Sequence, residues 1–199
     1  MEFLSEQLAA QAEFIVNNFV RSDYQHDINI DVDDGIYDCD CSGFVSFVLW
    51  GVSLKHYALV PRDPGVRPLA FDYYSLFAGL DSKPLAGWQA IDVLQEARRG
   101  DMMAWQLTPG LEPGKDTGHV LFVAEKPRLL DSGIFAVRVY DSAEVPHFDD
   151  TREDGETEVG SGFINFQVDA NGAPTAFQFG PSDLNFHSFP IAIGRVEPL

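Results

Sequence analysis

Apolar residues recur every three or four positions at the start of the chain. Leu8, Ala12, Ile15 and Phe19 line one face of "SEQLAAQAEFIVNNFV", which predicts an amphipathic helix with Ser5 as its N-cap. The period is lost in "DINIDVDDGIYD", read as a solvated acidic loop. Its Asp27-x-Asn29-x-Asp31 start hints at a cation loop, but Val32 stands where a calcium loop needs glycine and Asp38 where it needs glutamate. "CSGFVSFVLWG" is apolar nearly all round. It predicts a central buried helix, with Asp40 and Ser42 at its N-terminal cap and Gly51 closing it. Between residues 52 and 98, Pro61, Pro64, Pro68 and Pro84 surround two aromatic-rich pieces read as helical, "FDYYSLFAGL" and "WQAIDVLQEARR". Trp88, Tyr73, Tyr74 and Phe77 in them are expected in the core.

After Gly100 the composition turns to that of strands. "DMMAWQL", "GHVLFVAE" and "IFAVRVYDS" are separated by turn-rich loops, and "PRLLDSG" reads as a hairpin loop. "HFDDTREDGETEVGSG" reads as a mobile acidic loop, "FINFQVDANGAPTAFQF" as a hairpin about Asn171-Gly172, and "IAIGRV" as a last strand. Helices followed by a run of antiparallel strands predict one α+β domain over residues 1–199.

Composition narrows the function. Thirty-one acidic residues against thirteen basic ones give a net charge of −18, which argues against nucleic acid or an anionic membrane as partner. No apolar run reaches the ~18 residues of a spanning helix. The start has no basic region followed by an apolar run, so no signal peptide is expected, and the compartment and oligomeric state stay open.

The two cysteines, Cys39 and Cys41, are one residue apart. They lack the spacing of a zinc site and of a redox Cys-x-x-Cys, so neither a metal nor a cofactor is expected. Cys41 falls in the first turn of the buried helix, where unpaired backbone N–H groups and the helix dipole favour a thiolate. Cys39 lies outside the helix and reads as a bystander. Of the five histidines only His119 opens a strand, which makes it the candidate base. A hairpin centred near Leu130 would set Val123 opposite Val137 and His119 opposite Asp141, making Asp141 the orienting acceptor. A one-residue slip would substitute Tyr140 or Ser142.

"DCSGFVSFVL" resembles the nucleophile motif of the NlpC/P60 cysteine peptidases. "RRGDMMAW" resembles that family's Gly-Asp strand, "GHVLFVAE" its histidine strand, with a flavour of the related CHAP amidases, and "IAIGRV" its final strand. The resemblance implies a papain-like α+β fold whose nucleophile helix packs on an antiparallel sheet, with insertions around 52–98 and 147–190. It implies Cys41 as nucleophile, His119 as base and a polar third residue, placed on Asp141 with His147 as rival. The family's upstream site tyrosine has no matching motif, and Tyr24 or Tyr37 could stand in; Ser42 and Tyr37 are taken as substrate-binding positions. The implied activity is amide hydrolysis through a thioester, on a bacterial cell-wall stem peptide or muropeptide. An effector or intracellular amidase, or a catalytically silent binding module, are the alternatives.

Overall fold

The computed structural model describes residues 3–80, 87–107, 117–131 and 133–198; Pro84 and the loop before His119, up to residue 116, lie outside them. The architecture is α+β, with helices first and then the strands of a large antiparallel sheet. Helix α1 (Leu4–Asn18) buries Leu8, Ala12, Ile15 and Val16, as its spacing predicts. Ser5 is not its cap: the helix starts one residue earlier, and Ser5 is buried in the first turn. Its carbonyl lies so close to Gly100 that a Cβ there would come within 1.8 Å.

The acidic stretch that follows is a hairpin rather than an open loop. Strands β1 (Asn29–Asp31) and β2 (Ile36–Asp38) pair, and Asp31 Oδ1 accepts the turn N–H groups of Asp33 and Asp34 at 3.1 and 3.2 Å. The carboxylate that hinted at a cation loop therefore closes a turn. Helix α2 (Cys41–Val52) follows, capped by Asp40, whose Oδ1 accepts the Gly43 N–H at 2.7 Å. Gly51 lies within it, not at its end.

Helices α3 (Leu54–Leu59) and α4 (Ala70–Gly79) occupy the 52–98 region, and Tyr73, Phe77 and Trp88 are buried. The second piece read as helical is not a helix. It holds strand β3 (Trp88–Ala90) and a single 3-10 turn, Leu94–Glu96, because Trp88–Ala90 pairs with the final strand β10 (Ile191–Val196). That long-range ladder outweighs a weak local helical period.

The other strands are β4 (Met102–Gln106), β5 (Gly118–Val123), β6 (Arg128–Asp131), β7 (Ile134–Ala143), β8 (Glu158–Val168) and β9 (Pro174–Gln178). The sheet order is β3-β10-β4-β5-β7-β8-β9, with β6 paired to β7. Alternate residues separate two apolar layers. Met102, Ala104, Val120, Phe122 and Tyr140 meet α1, α2 and α4, whereas Met103, Trp105, Leu121, Val123, Val137 and Val139 form the other layer. The sheet curls around this second layer, so that Phe177 of β9 lies with its ring 4.3 Å from that of Trp105 of β4.

One stripe along β8 positions the site. Gly160, Gly162, Ile164 and Phe166 alternate with residues of the opposite face, and Ile164 and Phe166 fill the enclosed layer. The two glycines leave space there for residues 147–152. This segment was expected to be a mobile loop, yet it runs beside β8: Phe148 and Phe163 exchange backbone bonds at 3.0 and 2.7 Å, and Thr151 N–H donates to Ser161 at 2.9 Å. A Cβ on Gly160 would come within 2.5 Å of Arg152 Nε, and one on Gly162 within 2.6 Å of Asp150 Oδ2.

Gly162→Ala is therefore expected to lower stability by about 1–3 kcal/mol through overpacking. Gly51→Ala, with nothing within 4 Å of the added methyl, is expected to be neutral or stabilising by roughly 0.5–1 kcal/mol. Denaturant midpoints of the two variants decide this: equal midpoints would mean that the glycine stripe makes no essential space.

Candidate active site

His119 and Asp141 meet, but by a register other than the expected one. Strands β5 and β7 pair as Phe122 with Tyr140 and Val123 with Val139, not Val123 with Val137. The presumed hairpin loop contains β6, which itself pairs with β7 (Arg128 with Ala136), so the chain does not turn about Leu130. Continued along the strands, the observed register sets Ala143 across from His119. The offset is two residues, and an even offset keeps every side chain on its face. Asp141 thus stays on the face of His119, one diagonal step away and within reach of the imidazole. His119 Nε2 donates to Asp141 Oδ2 at 2.6 Å.

Gly118 fixes the entry of this strand. Its φ of +137° and the 2.0 Å separation of a hypothetical Cβ from the Trp105 carbonyl oxygen exclude a side chain. The close approach holds β5 against β4, and the His119 ring rests with its centroid 5.0 Å from that of Trp105 and 5.2 Å from that of Phe179.

Asp141 has no exposure to solvent. Its Oδ2 also accepts from His147 Nε2 at 2.8 Å, and its Oδ1 accepts from Arg152 Nη2 at 3.0 Å. His147 and Asp141, the rivals for third place, are therefore bonded to one another. Arg152 in turn bonds both oxygens of Asp150, at 2.9 and 2.8 Å, and Asp150 accepts the His147 backbone N–H at 2.6 Å. Burial alone would raise the Asp141 carboxyl, and it is the largest single influence. The charges of His147 and Arg152 and the bonds from His119 and His147 outweigh it and hold the group well below the usual carboxylate range.

Cys41 opens α2 and is 4% exposed. α2 packs against β5 and β7. Two residues before Cys41, the Cys39 carbonyl accepts from Ser142 Oγ at 2.6 Å, which ties the start of α2 to the residue next to Asp141. Burial, and after it the Asp40 charge, push the Cys39 thiol up to about 12, so Cys39 is inert at neutral pH.

The positions taken as substrate-binding are both buried within the fold. Ser42 is buried and bonds Asp40 and Arg67, serving the helix cap. Tyr37 is buried edge-on against Phe47. Neither lines the cavity of about 210 Å³ beside His119, which is bordered by Tyr24, Trp105, Glu144, Val145 and Phe179, among others. Of the two candidate tyrosines it is Tyr24 that reaches this space. Asp40, with Arg67, His26 and the Gly43 N–H around it, titrates low although burial, the largest influence, acts the other way. That keeps a negative charge at the helix start, next to the first-turn thiol.

Arg152 and Asp150 escaped the sequence reading because they sit in an acidic run. The available signal was Arg152 itself, the one Lys or Arg between Arg138 and Arg195, followed by the Gly-x-Gly of β8. In the Gly-Asp segment, Asp101 is buried and receives Arg195 of β10 through two bonds of 2.7 Å, a structural link at the base of β4. The chain has no significant match to any family model, curated protein or solved structure.

Because the folded Asp141 titrates below the free value of 3.8, its stabilising effect is fully present above that value. It is lost as the pH falls towards and through the folded value. Asp141→Asn is expected to lose about 3–5 kcal/mol at neutral pH, since buried His147 and Arg152 lose their counter-charge. Its stability should also fall less steeply below pH ~4 than that of the wild type. Unfolding measured at several acid pH values tests both expectations; parallel curves would mean that Asp141 does not carry the acid sensitivity.

Proposed function

We propose that the protein is a cysteine-dependent amidase or peptidase of papain-like, NlpC/P60-type arrangement. The observation that carries the reading is the bond from His119 Nε2 to Asp141 Oδ2 beside a cavity, on strands against which the Cys41 helix packs. A carboxylate only accepts, so this bond fixes the imidazole proton on Nε2 and leaves Nδ1 with its lone pair. In this reading Nδ1 takes the proton of Cys41 and the thiolate attacks an amide carbonyl. Backbone N–H groups at the start of α2 receive the oxyanion. The imidazolium then protonates the departing amine, and water, deprotonated by the same nitrogen, cleaves the thioester. The reading requires the thiol to reach His119 Nδ1 at the start of β5.

The proposed substrate is a stem peptide of the bacterial cell wall, a choice supported by the order of the four motifs. Tyr24, Trp105 and Phe179 border the cavity and offer ring faces to the substrate. No helix among the described residues is long and apolar enough to cross a membrane.

Cys41 is expected to be alkylated well below pH ~8.5, the ordinary thiol value, and to lose that reactivity in His119→Ala. Cys39 should stay unmodified throughout. Site-resolved mass spectrometry over a pH series reads all of this. Muropeptide digestion should be abolished in Cys41→Ala. A reactive Cys41 with intact muropeptides would exclude the wall substrate, and an inert Cys41 would exclude the hydrolase.

A further inference from the structure

His147 is turned entirely inward: its side chain has no solvent exposure. Its Nε2 faces Asp141 Oδ2 at 2.8 Å, and its Nδ1 faces the Phe179 carbonyl oxygen at 2.9 Å. Both partners are acceptors, and neither can supply a proton while Asp141 is ionised. Two ring nitrogens facing two acceptors are both satisfied only when both carry hydrogen. A singly protonated ring would aim a lone pair at an oxygen in a site that water does not enter, at the penalty of an unmade buried hydrogen bond.

Charge balance leads to the same state. The side chains of Asp141, Asp150, Arg152 and His147 are all 0–2% exposed. Two carboxylates face one guanidinium, and a doubly protonated His147 makes the set neutral. Buried charges persist where they are compensated in this way. The groups facing His147 are Asp141 from β7, the Phe179 carbonyl and ring from the segment after β9, and Asp150 through the His147 backbone. Arg152 stands across the two carboxylates.

We propose that His147 is a positioning residue that remains doubly protonated and acts on His119 through the carboxylate oxygen they share. By clamping Asp141 Oδ2 it fixes the point to which His119 Nε2 donates, and so holds His119 in the tautomer that leaves Nδ1 bare. Its positive charge also offsets that of Asp141. The carboxylate then orients the base without gripping the imidazolium so strongly that the proton cannot be passed on. The catalytic part of this inference rests on the amidase reading; the state of His147 does not.

The test uses the full chain with ¹⁵N-labelled histidine rings, as wild type and as His147→Gln, whose amide can keep the bond to Asp141 but carries no charge. In the wild type, His147 should show two protonated ring nitrogens throughout the neutral range, and neutral His119 a single tautomer with hydrogen on Nε2. In His147→Gln the alkaline limb of Cys41 alkylation should move up by about one pH unit, because Asp141 then stabilises only the His119 imidazolium. Amide hydrolysis should slow by about 10-fold or more at its optimum, because without the His147 charge Asp141 grips the His119 imidazolium and holds back its proton. A wild-type His147 with one bare nitrogen overturns the proposal even if the variant fails to fold. So does a folded variant whose alkylation profile superimposes on that of the wild type. A wild-type Cys41 indifferent to His119 removes the amidase reading, and with it the catalytic part, while the ring spectra still decide the state of His147.

Discussion

A carboxylate sealed from water must be surrounded by donors, and Asp141 imposes that requirement on everything around it. Two imidazoles and a guanidinium converge on its two oxygens. The donors come from two stretches: His119 from the start of β5, His147 and Arg152 from the segment that returns beside β8. To bring them together the sheet must curl, and β8 must give up two side chains on its inner face. The glycines at 160 and 162 satisfy that geometric demand, and the larger Ile164 and Phe166 resume the packing beyond them.

This arrangement separates the buried members of the cluster from the one that meets the cavity. Arg152 and Asp150 hold charge in place without approaching the cavity. His119 is the member of the set that borders it. On the helical side of the sheet Cys41 opens α2 in a separate scaffold, in which Asp40 caps the helix and Ser142 holds the preceding peptide. Asp141 and Ser142 are adjacent on β7 and point to opposite faces, so one strand holds both His119 and the peptide before α2.

The sequence made the helix-then-strand order legible, since α1, α2, α4 and most strands follow directly from period and composition. Cys41, His119 and Asp141 stood out because each occupies a distinctive place: a helix start, a strand start, and a polar position in an apolar strand. The exact pairing was not legible. β6 is short and exposed, and nothing local distinguishes it from a turn. Asp141 nevertheless remained on the right face because the register error was even. β3 was misread because its strand character comes from β10, a hundred residues away. Ser42 and Tyr37 do not border the cavity, because nearness in sequence to Cys41 says nothing about which way a side chain points. Asp150 and Arg152 were obscured by the acidity of their surroundings, and His147 was legible as a candidate without its bond to Asp141.

The tie between Ser142 and the Cys39 carbonyl also bears on how the site is assembled along the chain. Asp141 and Arg152 are 11 residues apart, whereas Ser142 and Cys39 are separated by 103. By chain statistics, closing the longer loop costs about 2 kcal/mol more in lost freedom. The bonded side chains of the histidine–aspartate–arginine cluster thus come from one short stretch, residues 119–152, with Trp105 and Phe179 packed against them from outside it. Cys41 lies on the far side of the Ser142 bond, in the helical layer that packs on β5 and β7, so the tie from Ser142 to the Cys39 carbonyl marks the point at which the two layers come into register.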